Sequence, residues 1–349
     1  MSRKERIYHS KAPVRIDFSG GYTDIQPYCD DFIGKSLNIS IQSYTNVIGK
    51  LRSDKIIKIT SLDLDTTFEI EAIGKIKFNG ELDIVKQIIL DFKIDYGIDI
   101  IITCDVQFGT GLGTSASLSI ALTMLFCKIK NIVKSKIEIA EYAADVERRI
   151  GITGGKQDQY ASIFGGINYY EFSHDRVRIK RIKLNKQEIE DLEKKVLLIH
   201  PGGHRKSSDL VSKIMQKYKC GDINTTIHLN SLNSMIDSFV TDIRKSDYKK
   251  LALKINILYQ AQKALNEDMV EHKIATLIDE LHRIGFCGIK LTGGAGPGAY
   301  LLVICDDIQR LKIVNILNEE KLSYIFPKIN VEGASISIIK EIPPEFKEP

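Results

Sequence analysis

The stretch Val106-Gln107-Phe108-Gly109-Thr110-Gly111-Leu112-Gly113-Thr114-Ser115-Ala116-Ser117 constrains this chain more than any other. Ahead of it, Ile100-Ile101-Ile102-Thr103-Cys104 is apolar and β-branched, as strands are. Behind it, Leu118 to Phe126 is too long for a strand and too apolar for a surface helix, so a buried helix is expected. Strand, glycine loop and helix are the parts of an anion site. Glycine lets the backbone approach a ligand closely, and the first N–H groups of a helix are unpaired at the positive end of its dipole. Thr114, Ser115 and Ser117 put hydroxyls at the helix start, where they can cap it, bind phosphate or hold a metal ion. A tight turn with an ordinary serine cap has the same local sequence, so the loop alone leaves both readings open.

Neither of the two common nucleotide folds fits. A Walker loop needs a Lys before its Ser or Thr, and none stands here. A dinucleotide fingerprint needs a third Gly where Thr114 stands, then an acid closing a second strand roughly twenty residues on. At 349 residues there is room for two domains, each with its own core. A formal charge of +4 without a long basic block does not suggest nucleic acid. Six cysteines (Cys29, Cys104, Cys127, Cys220, Cys287 and Cys305) lack paired spacing, which argues against a zinc site or a disulfide framework and fits a reducing compartment. Met-Ser-Arg-Lys-Glu-Arg leads into no apolar signal core, and no run is long enough to span a bilayer. A cytoplasmic protein without membrane or nucleic-acid partners is expected; its oligomeric state is not legible.

Residues 7–18 alternate as a strand that runs into Gly20-Gly21-Tyr22-Thr23-Asp24. Arg15 and Asp17 share one side of it, with Val14, Ile16 and Phe18 on the other. The two charges can form a surface pair of little worth or one wall of a polar ligand pocket. Segments 37–51, 55–62 and 66–72 read as further strands of a mostly antiparallel sheet, and 82–96 as an amphipathic helix. Ser135 and Glu138 form a capping box opening another helix, in which Glu147 falls on the apolar stripe with Ile139 and Ala143. A carboxylate there needs a partner, a metal or a route to the rim. Gln157-Asp158-Gln159 follows Gly154-Gly155 at the start of a short helix, where an Asp can also serve as a simple dipole partner.

Beyond a strand at 195–200, His204, Arg205 and the hydroxyls of Ser207 and Ser208 gather at a helix start, as a phosphate seat or a plain solvated loop. Residues 207–218, 223–244, 246–268 and 271–284 read as four helices. Gly288 to Tyr300 joins two strand-like runs, and helix 306–319 with strand 332–340 is expected to complete a β-α-β pattern.

Three of these stretches carry a resemblance. Pro13-x-Arg15-x-Asp17-Phe18-x-Gly20-Gly21-x-Thr23-Asp24, the glycine loop from Gly109 to Ala116, and Lys290-x-Thr292-Gly293-Gly294-x-Gly296-x-Gly298 resemble, in order, the three motifs of the GHMP kinase superfamily. Gly154-Gly155-Lys156-Gln157-Asp158-Gln159-Tyr160-Ala161, with Phe164-Gly165-Gly166, is similar to the branch of D-glycero-D-manno-heptose 7-phosphate kinases and fucokinase-type sugar kinases. The implied fold is α+β in two domains: a ribosomal protein S5 domain 2-like one over 1–190, and a ferredoxin-like one over 191–349.

The resemblance implies transfer of the ATP γ-phosphate to a sugar hydroxyl. Gly109, Thr110, Gly111, Leu112, Gly113, Thr114, Ser115 and Ala116 would bind ATP, and Ser115 and Glu147 would hold Mg²⁺. Asp158 and Arg15 would be catalytic, while Asp17, Thr23, Asp24, Gly154, Gly155, His204 and Arg205 would bind the sugar or sugar phosphate. Lys290, Gly293, Gly296 and Gly298 would close over the phosphates, although Ala295 and Pro297 depart from the usual third motif. Gly21 and Tyr22 stand where galactokinases carry Glu and His, which argues against galactose. The resemblance of Gly154 to Gln159 implies the anomeric hydroxyl of a heptose or fucose-type sugar, and His204 and Arg205 favour one already bearing phosphate, a heptose 7-phosphate. A kinase of unphosphorylated fucose or galactose, and a non-catalytic sugar and ATP sensor of the same fold, are the alternatives.

Overall fold

The computed structural model describes residues 6–174, 176–203, 208–265, 270–294, 296 and 298–346. Two sheets organise it. The first has the order β12-β1-β2-β5-β3-β4, with β6 and β7 joined through β2. Its strands are β1 (Ile7–Ser19), β2 (Gly34–Leu51), β3 (Ile57–Ser61), β4 (Thr66–Ile70), β5 (Ile98–Cys104), β6 (Ile167–Ser173), β7 (Arg176–Arg181) and β12 (Ser335–Ile339). The second has the order β11-β8-β10-β9, from β8 (Val196–His200), β9 (Gly288–Leu291), β10 (Leu301–Ile304) and β11 (Ser323–Ile325).

Strand β2 is long enough to pair with β1 along its length, with β5 near its end and with β6 near its start. Among the described strands, β3 and β5 alone pair in parallel. One face of the first sheet is covered by α2 (Asp83–Asp91), α3 (Thr114–Lys130), α4 (Lys136–Arg149) and α5 (Gln157–Phe164), whose apolar side chains form one core with Val47, Ile59 and Ile102. The other face, carrying Val14, Ile16 and Phe18, shares a continuous core with Leu197, Ile289 and Leu302 of the second sheet. β1 is buried along nearly its whole length, whereas in β5 every second residue is only partly covered.

The remaining helices are α1 (Tyr28–Asp31), α6 (Lys186–Lys195), α7 (Ser208–Lys219), α8 (Ile223–Ser234), α9 (Ile236–Arg244), α10 (Tyr248–Leu265), α11 (His272–Ile284) and α12 (Asp307–Glu319). The single helix expected over 223–244 is therefore two. Serine hydroxyls at Ser234 and Ser238 donate to the carbonyls of Ser231 and Met235, competing with the backbone where the helices meet.

The last strand also departs from expectation. The β-α-β unit is completed by the short β11, while Ser335–Ile339 crosses back to pair antiparallel with β1, from Ile7 opposite Ile339 to Lys11 opposite Ser335. At three residues, β11 is too short for alternation to reveal it.

Candidate active site

Gly113 sits at φ +75° immediately before α3, and no side chain caps that helix. The capping position is Gly113 itself, so none of the three hydroxyls stands where a cap would. Thr114 accepts from the Gly109 N–H at 3.3 Å, and Ser117 donates to the Thr114 carbonyl at 2.9 Å. The ordinary serine cap is thereby excluded, and the helix start lines a cavity of about 420 Å³. Gly113 is also where the loop meets α5. A methyl group added there would lie 3.3 Å from Asp158 Oδ2, beside the Arg15 side chain.

Arg15 is buried in β1 and holds two partners. Its Nε and Nη2 donate to Asp158 Oδ1 at 2.8 and 2.6 Å, and its Nη1 donates to the Gly111 carbonyl at 2.6 Å. One guanidinium thus ties the acid after the double glycine to the glycine loop, the geometry a planar fork of donors suits.

Two further carboxyls line the same cavity. Glu147, at the end of α4, accepts from Gln159 Nε2 at 2.8 Å, has Ser115 against it, and leaves Oε1 without a hydrogen-bond partner. Burial, followed by the charge of Asp158, pushes it up to about 7. A buried carboxylate oxygen lacking a partner beside a hydroxyl is a donor set that fits a hard divalent cation. Among the described residues no group of three or more His, Cys, Asp or Glu forms a metal cage.

Asp24 follows the tight turn after β1 and is pushed up to about 7, first by burial and then by Asp158 and Asp17. It accepts from the Gln157 N–H at 3.0 Å, at the start of α5, and from Gln157 Nε2 at 3.3 Å. Gly155 is the floor beneath it: an added methyl would stand 1.8 Å from Asp24 Oδ2, so only glycine fits.

Arg15, Asp24, Gly109, Gly111, Gly113, Thr114, Ser115, Glu147, Gly154, Gly155, Asp158 and Gly293 all line the cavity. Other expected residues lie off it. Asp17 is fully buried and pairs with Lys290 at 3.2 Å, so neither side chain is offered to a ligand. They do not form a pocket wall with Arg15, because each charge on β1 finds a different partner. Thr23 spends its hydroxyl on the carbonyls of Gly20 and Lys35, at 3.0 and 2.7 Å. Leu112 and Ala116 are core residues, and Thr110 donates to the Gln107 carbonyl. Gly296 and Gly298 take positive φ without lining the cavity. His204, Arg205, Ala295 and Pro297 lie outside the described residues. Sequence reasoning missed Gln157 and Gln159 as partners of the buried acids; their signal was the pair of amides flanking Asp158 at a helix start.

Comparisons with known proteins follow the same outline. Residues 83–166 match the family described as GHMP kinases N terminal domain. The chain is 28% identical to the D-glycero-alpha-D-manno-heptose 7-phosphate kinase of Campylobacter jejuni, over 90% of this chain and 94% of that protein. It is 25% identical to the bifunctional fucokinase/GDP-fucose pyrophosphorylase of Arabidopsis thaliana, over 93% of this chain but 33% of that longer protein. In structure it resembles a D-glycero-D-manno-heptose 1-phosphate kinase from Bacteroides thetaiotaomicron, with a TM-score of 0.76 at 22% identity, covering 95% of this chain and 99% of that one.

Proposed function

Because the chain belongs to the GHMP kinase superfamily, we propose that it transfers the γ-phosphate of ATP to a sugar hydroxyl in the cavity at the start of α3. The observation that carries this reading is convergence: the uncapped helix start, the Ser115–Glu147 pair and the Arg15-held Asp158 line one cavity. Phosphoryl transfer depends mainly on positioning and charge neutralisation, and these groups supply both. The N–H groups opening α3 and the glycine loop bind the phosphates. Mg²⁺ held by Ser115 and Glu147 would offset the charge on the β- and γ-phosphate oxygens.

Asp158 orients the acceptor hydroxyl and takes its proton, and Arg15 fixes the carboxylate in place against Gly111. Asp24, set on Gly155, receives sugar hydroxyls. The acceptor we propose is the anomeric hydroxyl of a heptose 7-phosphate or a closely related sugar. The similarity to the Campylobacter jejuni enzyme over nearly the whole of both chains supports it. We also place the division between two domains near residue 190, with the final strand returning to the first.

The test is ADP release from ATP and Mg²⁺ with heptose 7-phosphate, fucose, galactose and mannose, for the wild type and for Asp158→Asn. Turnover of the heptose 7-phosphate by the wild type, lost in Asp158→Asn, is the expected result. Turnover of unphosphorylated sugars only would overturn the substrate, and none with any sugar would make the protein a sensor.

A further inference from the structure

Consecutive side chains at the start of a helix fan out, because each step turns by about 100°. At the start of α5, Gln157 faces Asp24, Asp158 faces Arg15 and Gln159 faces Glu147. The reaction accounts for the middle residue and leaves the two glutamines unexplained.

Gln159 is fully buried and gives its amide N–H to Glu147 Oε2, while its own Oε1 has no partner among the described residues. Against the ionised, cation-holding form of Glu147, turning the amide over would set oxygen against oxygen, so the donor orientation is the one that form allows. A bare buried amide oxygen is costly, and a side chain needed only to fill space would do so without it. Gln157 is also held from behind: its Oε1 accepts from Asn38 Nδ2 at 3.0 Å, and that amide also donates to Ser36. Its Nε2 is thereby directed at Asp24.

We infer that Gln157 and Gln159 are positioning residues with separate tasks. Gln159 fixes Glu147 so that Oε1 stays free for the cation beside Ser115, and Gln157 fixes Asp24 for the acceptor sugar. The inference rests on the kinase reading above. One turn of helix then registers the metal end and the sugar end of the cavity against Asp158, with Gln157 itself on the cavity lining.

Gln157→Met and Gln159→Met keep side-chain length while removing the amide. Two equilibrium readouts separate them: Mn²⁺ binding to protein with a non-hydrolysable ATP analogue, followed by electron paramagnetic resonance, and metal-free calorimetry with the acceptor that the wild type turns over best. Gln159→Met is expected to weaken Mn²⁺ binding by about 10–100-fold, the usual loss for a removed outer partner of a metal ligand, with sugar affinity unchanged. Gln157→Met is expected to do the reverse, and the metal requirement and the sugar KM should split in the same way. Should a Met variant fail to fold, the corresponding Asn variant, too short to reach its acid, carries the test. Equal losses on both readouts in each variant, or none in either, would overturn the inference. A wild type that binds neither Mn²⁺ with nucleotide nor any sugar of the panel would instead overturn the kinase reading itself.

Discussion

Towards its end strand β1 carries Arg15 and Asp17, two residues apart, and each finds an opposite charge. Arg15 meets Asp158, which remains 27% exposed on the cavity wall. Asp17 meets Lys290 with side-chain exposures of 0% and 1%, across the boundary between the two sheets. The chemistry is similar and the access is not. A carboxylate held by an arginine but open to a ligand can act on it; a carboxylate sealed against a lysine can only join β1 to β9. Burial pushes Lys290 down, the cost of sealing an ammonium away from water, with Asp17 opposing that shift. The structure therefore divides the first and third motifs into residues that face the cavity and residues that hold the two sheets together.

That division is easiest to break at the open pair. Asp158→Asn is expected to lower the rate of sugar phosphorylation by about 10²–10⁴-fold, the range for a lost general base, while the melting temperature stays within a few degrees. An equal loss of activity and of fold would erase the distinction between the two pairs. At the sealed pair the order should invert. Lys290→Met leaves Asp17 buried without a counter-charge and is expected to cost about 3–5 kcal/mol of stability by denaturant unfolding. Adding Asp17→Leu should restore part of it, because no orphan charge is then left. A Lys290→Met protein of wild-type stability would contradict the account of the sealed pair.

Thr23 sharpens the comparison within the first motif. Its hydroxyl is consumed by the Gly20 and Lys35 carbonyls, so Thr23→Val should cost about 1–3 kcal/mol of stability and leave the sugar KM unchanged. A raised KM at unchanged stability would return Thr23 to the ligand. The same turn also predicts a pH dependence. Asp24 is raised to about 7 in the fold, whereas an unfolded chain ionises it near its ordinary value of 3.8. Between those two values the folded form binds the extra proton, so the melting temperature of the ligand-free protein should fall as pH rises through about 7. Glu147 is raised to about the same value, so Asp24→Asn should remove part of that slope and leave the part from Glu147 in a melting series from acid to neutral pH.

Local pattern carried much of the fold into view. The glycine loop announced α3, the Ser135–Glu138 box opened α4, and alternation marked β1. What stayed hidden depends on distant partners. Nothing near Asp17 signals that Lys290, on the other sheet, will seal it, and nothing near Thr23 shows that two carbonyls will claim its hydroxyl. The return of β12 to β1 is hidden for the same reason, since alternation names a strand but not its neighbour. Gln157 and Gln159 are polar residues in a polar run; only the fold shows that both are buried against acids.

A crystal structure with Mg²⁺ and a non-hydrolysable ATP analogue tests the central claim most directly. The account predicts the terminal phosphate at the start of α3, with the cation on Ser115 and Glu147 and the Asp158 carboxylate facing the phosphate. Nucleotide seated on the far side of the Gly151–Lys156 loop, or phosphates that do not meet the glycine turn, would contradict it.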